Sequence, residues 1–72
     1  MTKQEFIELF DSVIDGRTGY SVESSRGSFI HVYSVDNNFT ATFIERVVGM
    51  TGDYFMGITM DSNNKPYLLF AL

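Results

Sequence analysis

The hydrophobic period of this chain changes at Gly16, and that change constrains the fold more than any other feature. Before it, Phe6, Leu9, Phe10 and Val13 recur at the i, i+3, i+4, i+7 spacing of one helical face, widened by Ile7 and Ile14. After it, apolar and polar residues alternate in short runs, the period of a strand with two unlike faces. The spacing predicts a helix over residues 2–15. Thr2-Lys3-Gln4-Glu5 has the form of a capping box, in which the Thr2 hydroxyl accepts the Glu5 N–H and the Glu5 carboxylate accepts that of Thr2. Gly16 stands where a left-handed residue ends a helix at little steric cost. A helix this short is marginal alone in water, so it must pack on the rest of the chain.

Beyond Gly16 the chain reads as five strands. Tyr20-Ser21-Val22-Glu23 alternates apolar and polar, Ser25-Arg26-Gly27 is a turn, and Phe29 to Val35 is rich in β-branched and aromatic residues. Asp36-Asn37-Asn38 tolerates the positive φ of a tight hairpin, and Phe39-Thr40-Ala41-Thr42-Phe43 alternates again as a third strand. Past Phe43 the alternation slips at Glu45-Arg46, which reads as a bulge or bend. Thr42-Phe43-Ile44-Glu45 also matches a capping box, so a short helix competes over Thr42–Val48. The Val pair and two following glycines weigh against it, and the strand is preferred. If the helix forms instead, the fold becomes two helices on a four-stranded sheet. Gly49 to Asp53 reads as a turn, Tyr54 to Met60 as the fourth strand, Asp61 to Pro66 as a polar loop and Tyr67 to Leu72 as the fifth strand. Connections this short join antiparallel neighbours. The expected fold is therefore α+β: an N-terminal amphipathic helix packed on a small twisted antiparallel sheet of about five strands. The apolar last strand is expected to lie centrally or to be buried in an oligomer.

Size and charge narrow the function. Seventy-two residues are expected to form a single domain, 1–72, with no repeat or linker, and 44% hydrophobic residues exclude a disordered chain. With no Cys there is no disulfide framework, thiol nucleophile or zinc ribbon. Nine acidic residues against five basic ones, scattered along the chain, argue against direct contact with nucleic acid. The acid at Glu5 is unlike a signal peptide, and no apolar run approaches the ~18 residues that cross a bilayer. A cytoplasmic protein with no membrane contact is the expectation.

Chemical signatures are sparse. His31 is the only His, in the middle of a strand with no nucleophile placed beside it, and reads as a half-buried strand residue. Asp36-Asn37-Asn38 and Asp61-Ser62-Asn63-Asn64 offer oxygen ligands but lack the glycine and bidentate Glu of a calcium loop, so they read as turns. Gly16-Arg17-Thr18-Gly19 and Gly49-Met50-Thr51-Gly52 lack the basic helical setting of an RNA clamp. No catalytic residue, cofactor or metal is expected.

An interaction surface remains. Glu8, Asp11 and Asp15 fall within about one sixth of a helical turn of each other, with Glu5 beside them, opposite the apolar face. Tyr20, Tyr54 and Met56 are of the adaptable or amphipathic types favoured at protein interfaces. In size, charge and α+β plan the chain resembles the very small acidic proteins that phages and mobile elements encode against larger host machines, anti-CRISPR proteins among them. That resemblance covers the general plan and no specific motif. It implies a protein-binding inhibitor acting by steric occlusion of a basic site on a larger protein. The second expectation is a homo-oligomeric structural protein, a homodimer for instance, assembling through the apolar C-terminal strand.

Overall fold

The computed structural model describes residues 1–14 and 19–72. Among these, the order is α1 (Lys3–Val13), β1 (Tyr20–Ser24), β2 (Phe29–Ser34), α2 (Ala41–Thr51), a single 3-10 turn at Gly52–Tyr54, β3 (Phe55–Met60) and β4 (Pro66–Ala71). The strands form one antiparallel sheet in the order β1-β2-β4-β3. The fold is α+β, with two helices and four strands among the described residues rather than one helix and five strands. The unit αββ occurs twice, and exchanging the two units leaves the strand order unchanged.

The N-terminal helix forms as its sequence dictates. Thr2 Oγ1 accepts the Glu5 N–H at 3.1 Å, and Glu5 Oε1 accepts the Thr2 N–H at 2.9 Å, which completes the capping box. The Glu5 carboxyl is held below its usual range, chiefly by the Thr2 N–H. Phe6 and Phe10 are buried while Leu9 and Val13 are half-buried, so the predicted face is the packed one. The Gly16 stop lies outside the described residues. Lys3 Nζ donates to the Ser25 carbonyl at 2.7 Å and ties the start of the helix to the β1–β2 turn.

The predicted third strand is a helix. Thr40, not Thr42, is the N-cap, and its Oγ1 accepts the Phe43 N–H at 3.1 Å. Phe39 and Phe43 stand four residues apart, a spacing that serves one strand face and one helix face equally well. Their rings stack at 5.9 Å, and Val47 and Thr51 continue the buried row at the same interval. A strand would have put Glu45 and Gly49 in that row. Burial thus decides against the weak helix propensity of Val47-Val48. Asn37, at φ 58, turns the chain out of β2 into this helix and not into a hairpin. Gly49 does not end α2. Gly52 does, as its C-cap at φ 59, a left-handed conformation costly for other residues.

Both helices supply one core. Phe6, Phe10, Phe43 and Val47 meet Ile30 and Val32 of β2 and Leu68 and Phe70 of β4. Phe6 contacts Phe70 with ring centroids 4.8 Å apart, and Phe10 meets Phe43 edge-on at 6.2 Å. β4 lies between β2 and β3, the central placement expected of so apolar a segment. Both its backbone edges are already paired, which leaves no free edge there for pairing across a symmetry axis.

Candidate functional site

The alternation that sends Ile30, Val32, Leu68 and Phe70 under the helices turns the intervening residues to the opposite face of the sheet. Because β2 and β4 are neighbours, those residues join into two rows that cross all four strands. One runs Ser21, Tyr33, Tyr67, Thr59; the other runs Glu23, His31, Leu69, Gly57. Both helices pack on the other side.

The centre of this uncovered face is aromatic. The His31 ring stacks on Tyr67 with centroids 4.2 Å apart and planes within 24°, and Tyr33 leans on the same ring at 5.3 Å. The Tyr33 hydroxyl donates to Asp61 Oδ2 at 3.2 Å. Asp61 also organises the β3–β4 loop, since its Oδ1 accepts the N–H groups of Asn63 at 2.8 Å and Lys65 at 2.9 Å. These bonds, the Lys65 N–H foremost, hold the Asp61 carboxyl below its usual range. Burial first, then the bond to Asp61, pushes the Tyr33 phenol up, and the Glu23 charge adds to the shift.

Beside the rings lies an open cleft of about 350 Å³ whose lining includes Ser21, Glu23, Tyr33, Asp61, Asn63 and Lys65. It presents the Glu23 and Asp61 carboxylates and hydroxyl acceptors next to the Tyr33 ring, with one cation, Lys65, also on its wall. That combination complements a guanidinium or ammonium group, which carboxylates bind by charge and rings by their quadrupole. Among the described residues no three His, Cys, Asp or Glu side chains come together as a metal site. No helix among them is long and apolar enough to cross a membrane.

The surface residues expected from sequence are dispersed. Glu5 is exposed but committed to the helix cap, and Glu8 is exposed, where its Oε1 accepts from Gln4 Nε2 at 3.3 Å. Asp11 is half-buried and so is not a fully solvent-facing member of the stripe. Asp15 lies outside the described residues. Tyr20 is on the helix side, stacked on Phe43 at 4.1 Å, where it extends the core; partial burial and the nearby Asp36 charge push its phenol up. Tyr54 is half-buried against the same core, and Met56 alone of the three stands well exposed, at the edge of the sheet. The structure does not bring these residues to one surface.

His31, Tyr33, Tyr67, Glu23 and Asp61 were not legible as a group. The row Phe29-His31-Tyr33 can be read from alternation within one strand, but Tyr67 joins it only because β4 pairs with β2. No local signal encodes that pairing. No protein-family model matches the chain, and neither a curated protein nor a solved structure is significantly similar to it.

Proposed function

We propose that this chain is a small protein-binding domain that takes an Arg- or Lys-bearing surface of a larger protein onto its uncovered sheet face and acts by occluding it. The observation that carries this reading is the juxtaposition of the His31–Tyr67–Tyr33 ring cluster with the Glu23 and Asp61 carboxylates on the face that the helices leave open. A net charge of −4 favours encounter with a basic partner. Tyr side chains are of the type that anchors interfaces, because their bodies are apolar and their tips polar. The mechanism is steric and involves no bond making. The reading retains the inhibitor of a larger host protein, phage- or mobile-element-encoded and anti-CRISPR-like in plan, and moves its contact surface from the acidic helix face with Tyr20, Tyr54 and Met56 to the His31–Tyr67 face of the sheet.

The test is capture of partners on the tagged chain at low and moderate salt, followed by the same capture with Tyr67→Ala, Glu23→Lys and Glu8→Lys. One stoichiometric partner should be lost as salt rises, lost with Tyr67→Ala and Glu23→Lys, and kept with Glu8→Lys. A partner kept by both sheet variants and lost with Glu8→Lys would return the contact to the helix and end the sheet-face reading.

A further inference from the structure

The row of side chains under the helices does not end where the helices end. It runs Val22, Val32, Leu68, Ile58 across the sheet, and its burial falls from complete at Val32 and Leu68 to 50% exposure at Ile58. Next to it on β3, Met60 pairs with Pro66 and is 52% exposed. A bulge between Phe55 and Gly57 adds Met56, 60% exposed, to the same strip. β3 therefore carries the composition of a core strand, yet it stands at the edge of the sheet with no helix of the described residues over its outer half. From Phe55 to Met60 it contains no charged residue and no proline, two of the devices that keep an edge from pairing; a third, the bulge, lies at the start of the strand and leaves Gly57 to Met60 in regular register. The opposite edge differs in charge and in cover. β1 carries Glu23, and its helix-side Tyr20 is covered by Phe43 and Phe10.

We infer that β3 is the dimerisation edge of this protein, and that its occupant is the β3 strand of a second copy, paired antiparallel about a two-fold axis. An antiparallel edge is self-complementary in its backbone groups, and a symmetric pairing uses one patch twice. With Ile58 opposite its symmetry mate, Met56 of each copy falls opposite Met60 of the other, and the two apolar strips merge on the helix side. The absence of charge along β3 lets two chains of net charge −4 approach there without like-charge contact. The interaction also supplies what a domain of this size lacks, since without disulfides a short chain commonly gains stability by association. A strand of six residues spans only ~20 Å, so the interface is smaller than the ~800 Å² per partner of a standard stable complex. The dimer is accordingly weak and concentration-dependent.

Sedimentation equilibrium across a concentration series tests this. The mass should rise from 8.2 kDa towards twice that value, and the melting temperature should rise with protein concentration. Ile58→Lys should stay monomeric with unchanged far-UV circular dichroism, while Val35→Lys, at a 79% exposed position off this edge, should dimerise as the parent does. Should Ile58→Lys fail to fold, Met60→Lys serves in its place. An independent readout uses the lack of native cysteine: Ile58→Cys should form a covalent dimer under mild oxidation far faster than Val35→Cys, because directly opposed strand positions approach disulfide distance. A monomeric mass up to about 1 mM, a dimer that survives both lysine variants, or equal oxidation rates for the two cysteine variants would each overturn the proposal. Partner capture by the sheet-face residues is unaffected by any of these outcomes.

Discussion

The two faces of the β2–β4 strand pair are made from alternate residues of the same short segments, yet they do opposite things. On the helix side Ile30, Val32, Leu68 and Phe70 are buried and purely hydrocarbon. On the other side His31, Tyr33 and Tyr67 are only half-buried, and each has a polar atom at the end of an apolar body. A two-layer fold can bury one face of its sheet with its own helices, and the second face must live with water or with a partner. Aromatic residues with polar tips suit that second condition. They stack on one another when the face is empty and can dock when it is not. The contrast separates residues that hold the chain together from residues available to function.

The sharpest break in that contrast is Phe70→Ala. Removing a buried aromatic ring that contacts Phe6 and Phe55 costs about 3–5 kcal/mol, comparable with the whole stability of ~3–5 kcal/mol expected for so small a core. The chain should lose its cooperative thermal transition and its dispersed amide spectrum. Tyr67→Ala, on the same strand and on the uncovered face, should cost only about 1–2 kcal/mol by chemical denaturation, since it loses ring contacts without opening a sealed cavity. A Tyr67→Ala penalty equal to that of Phe70→Ala would show that both faces are core, and the functional reading of the open face would go with it.

Thr40→Ala probes the helix layer itself. Loss of the hydroxyl that accepts the Phe43 N–H should destabilise the fold by about 1 kcal/mol, read from the urea midpoint at unchanged slope. No loss would mean that α2 is held by Phe43 and Val47 alone.

Acid titration bears on the uncovered face through Asp61. Its folded pKa is lowered, so the ionised form is favoured by the fold. The stability it contributes is therefore present above the unfolded pKa of about 3.9 and is lost as pH falls through the lower folded value. Asp36 behaves in the same sense, held down first by the Ser34 hydroxyl and then by the Asn38 N–H. Melting temperature should fall steadily below about pH 4, and Asp61→Asn should shallow that decline because the amide does not titrate there. An unchanged acid limb in Asp61→Asn would remove Asp61 as the group that steadies the loop beside the cleft. The smallest effect is expected at Glu8→Lys, within about 0.5 kcal/mol of the parent, because the residue is exposed and outside the helix cap. A larger loss would place the helix stripe in the folding interactions after all.

The features legible in the sequence are the local ones. The capping box at Thr2 and Glu5, the buried Phe6 and Phe10, the strands at Tyr20 and Phe29, the turn at Asp61 and the central position of the last strand were all accessible, because each rests on spacing or composition within a few residues. The segment after Asn38 was not, since Phe39 and Phe43 satisfy helical and strand periods alike. Only the space left beside Tyr20 and Phe10 decides which period is used. The candidate site was further out of reach. Glu23, His31, Tyr67 and Asp61 come from three strands and a loop, and they meet because β4 inserts between β2 and β3.

Residue order alone settles where the chain can be helical at its start, which residues are apolar enough for the core, and that a chain without cysteine has no thiol or disulfide chemistry. Tertiary packing settles the second helix, the neighbour of each strand, and hence which alternate residues share a surface. The difference is one of range. Caps, turns and periodicity are set by contacts across a few residues, whereas strand order is chosen by the burial of the whole apolar set at once. A surface assembled from four strands inherits that choice.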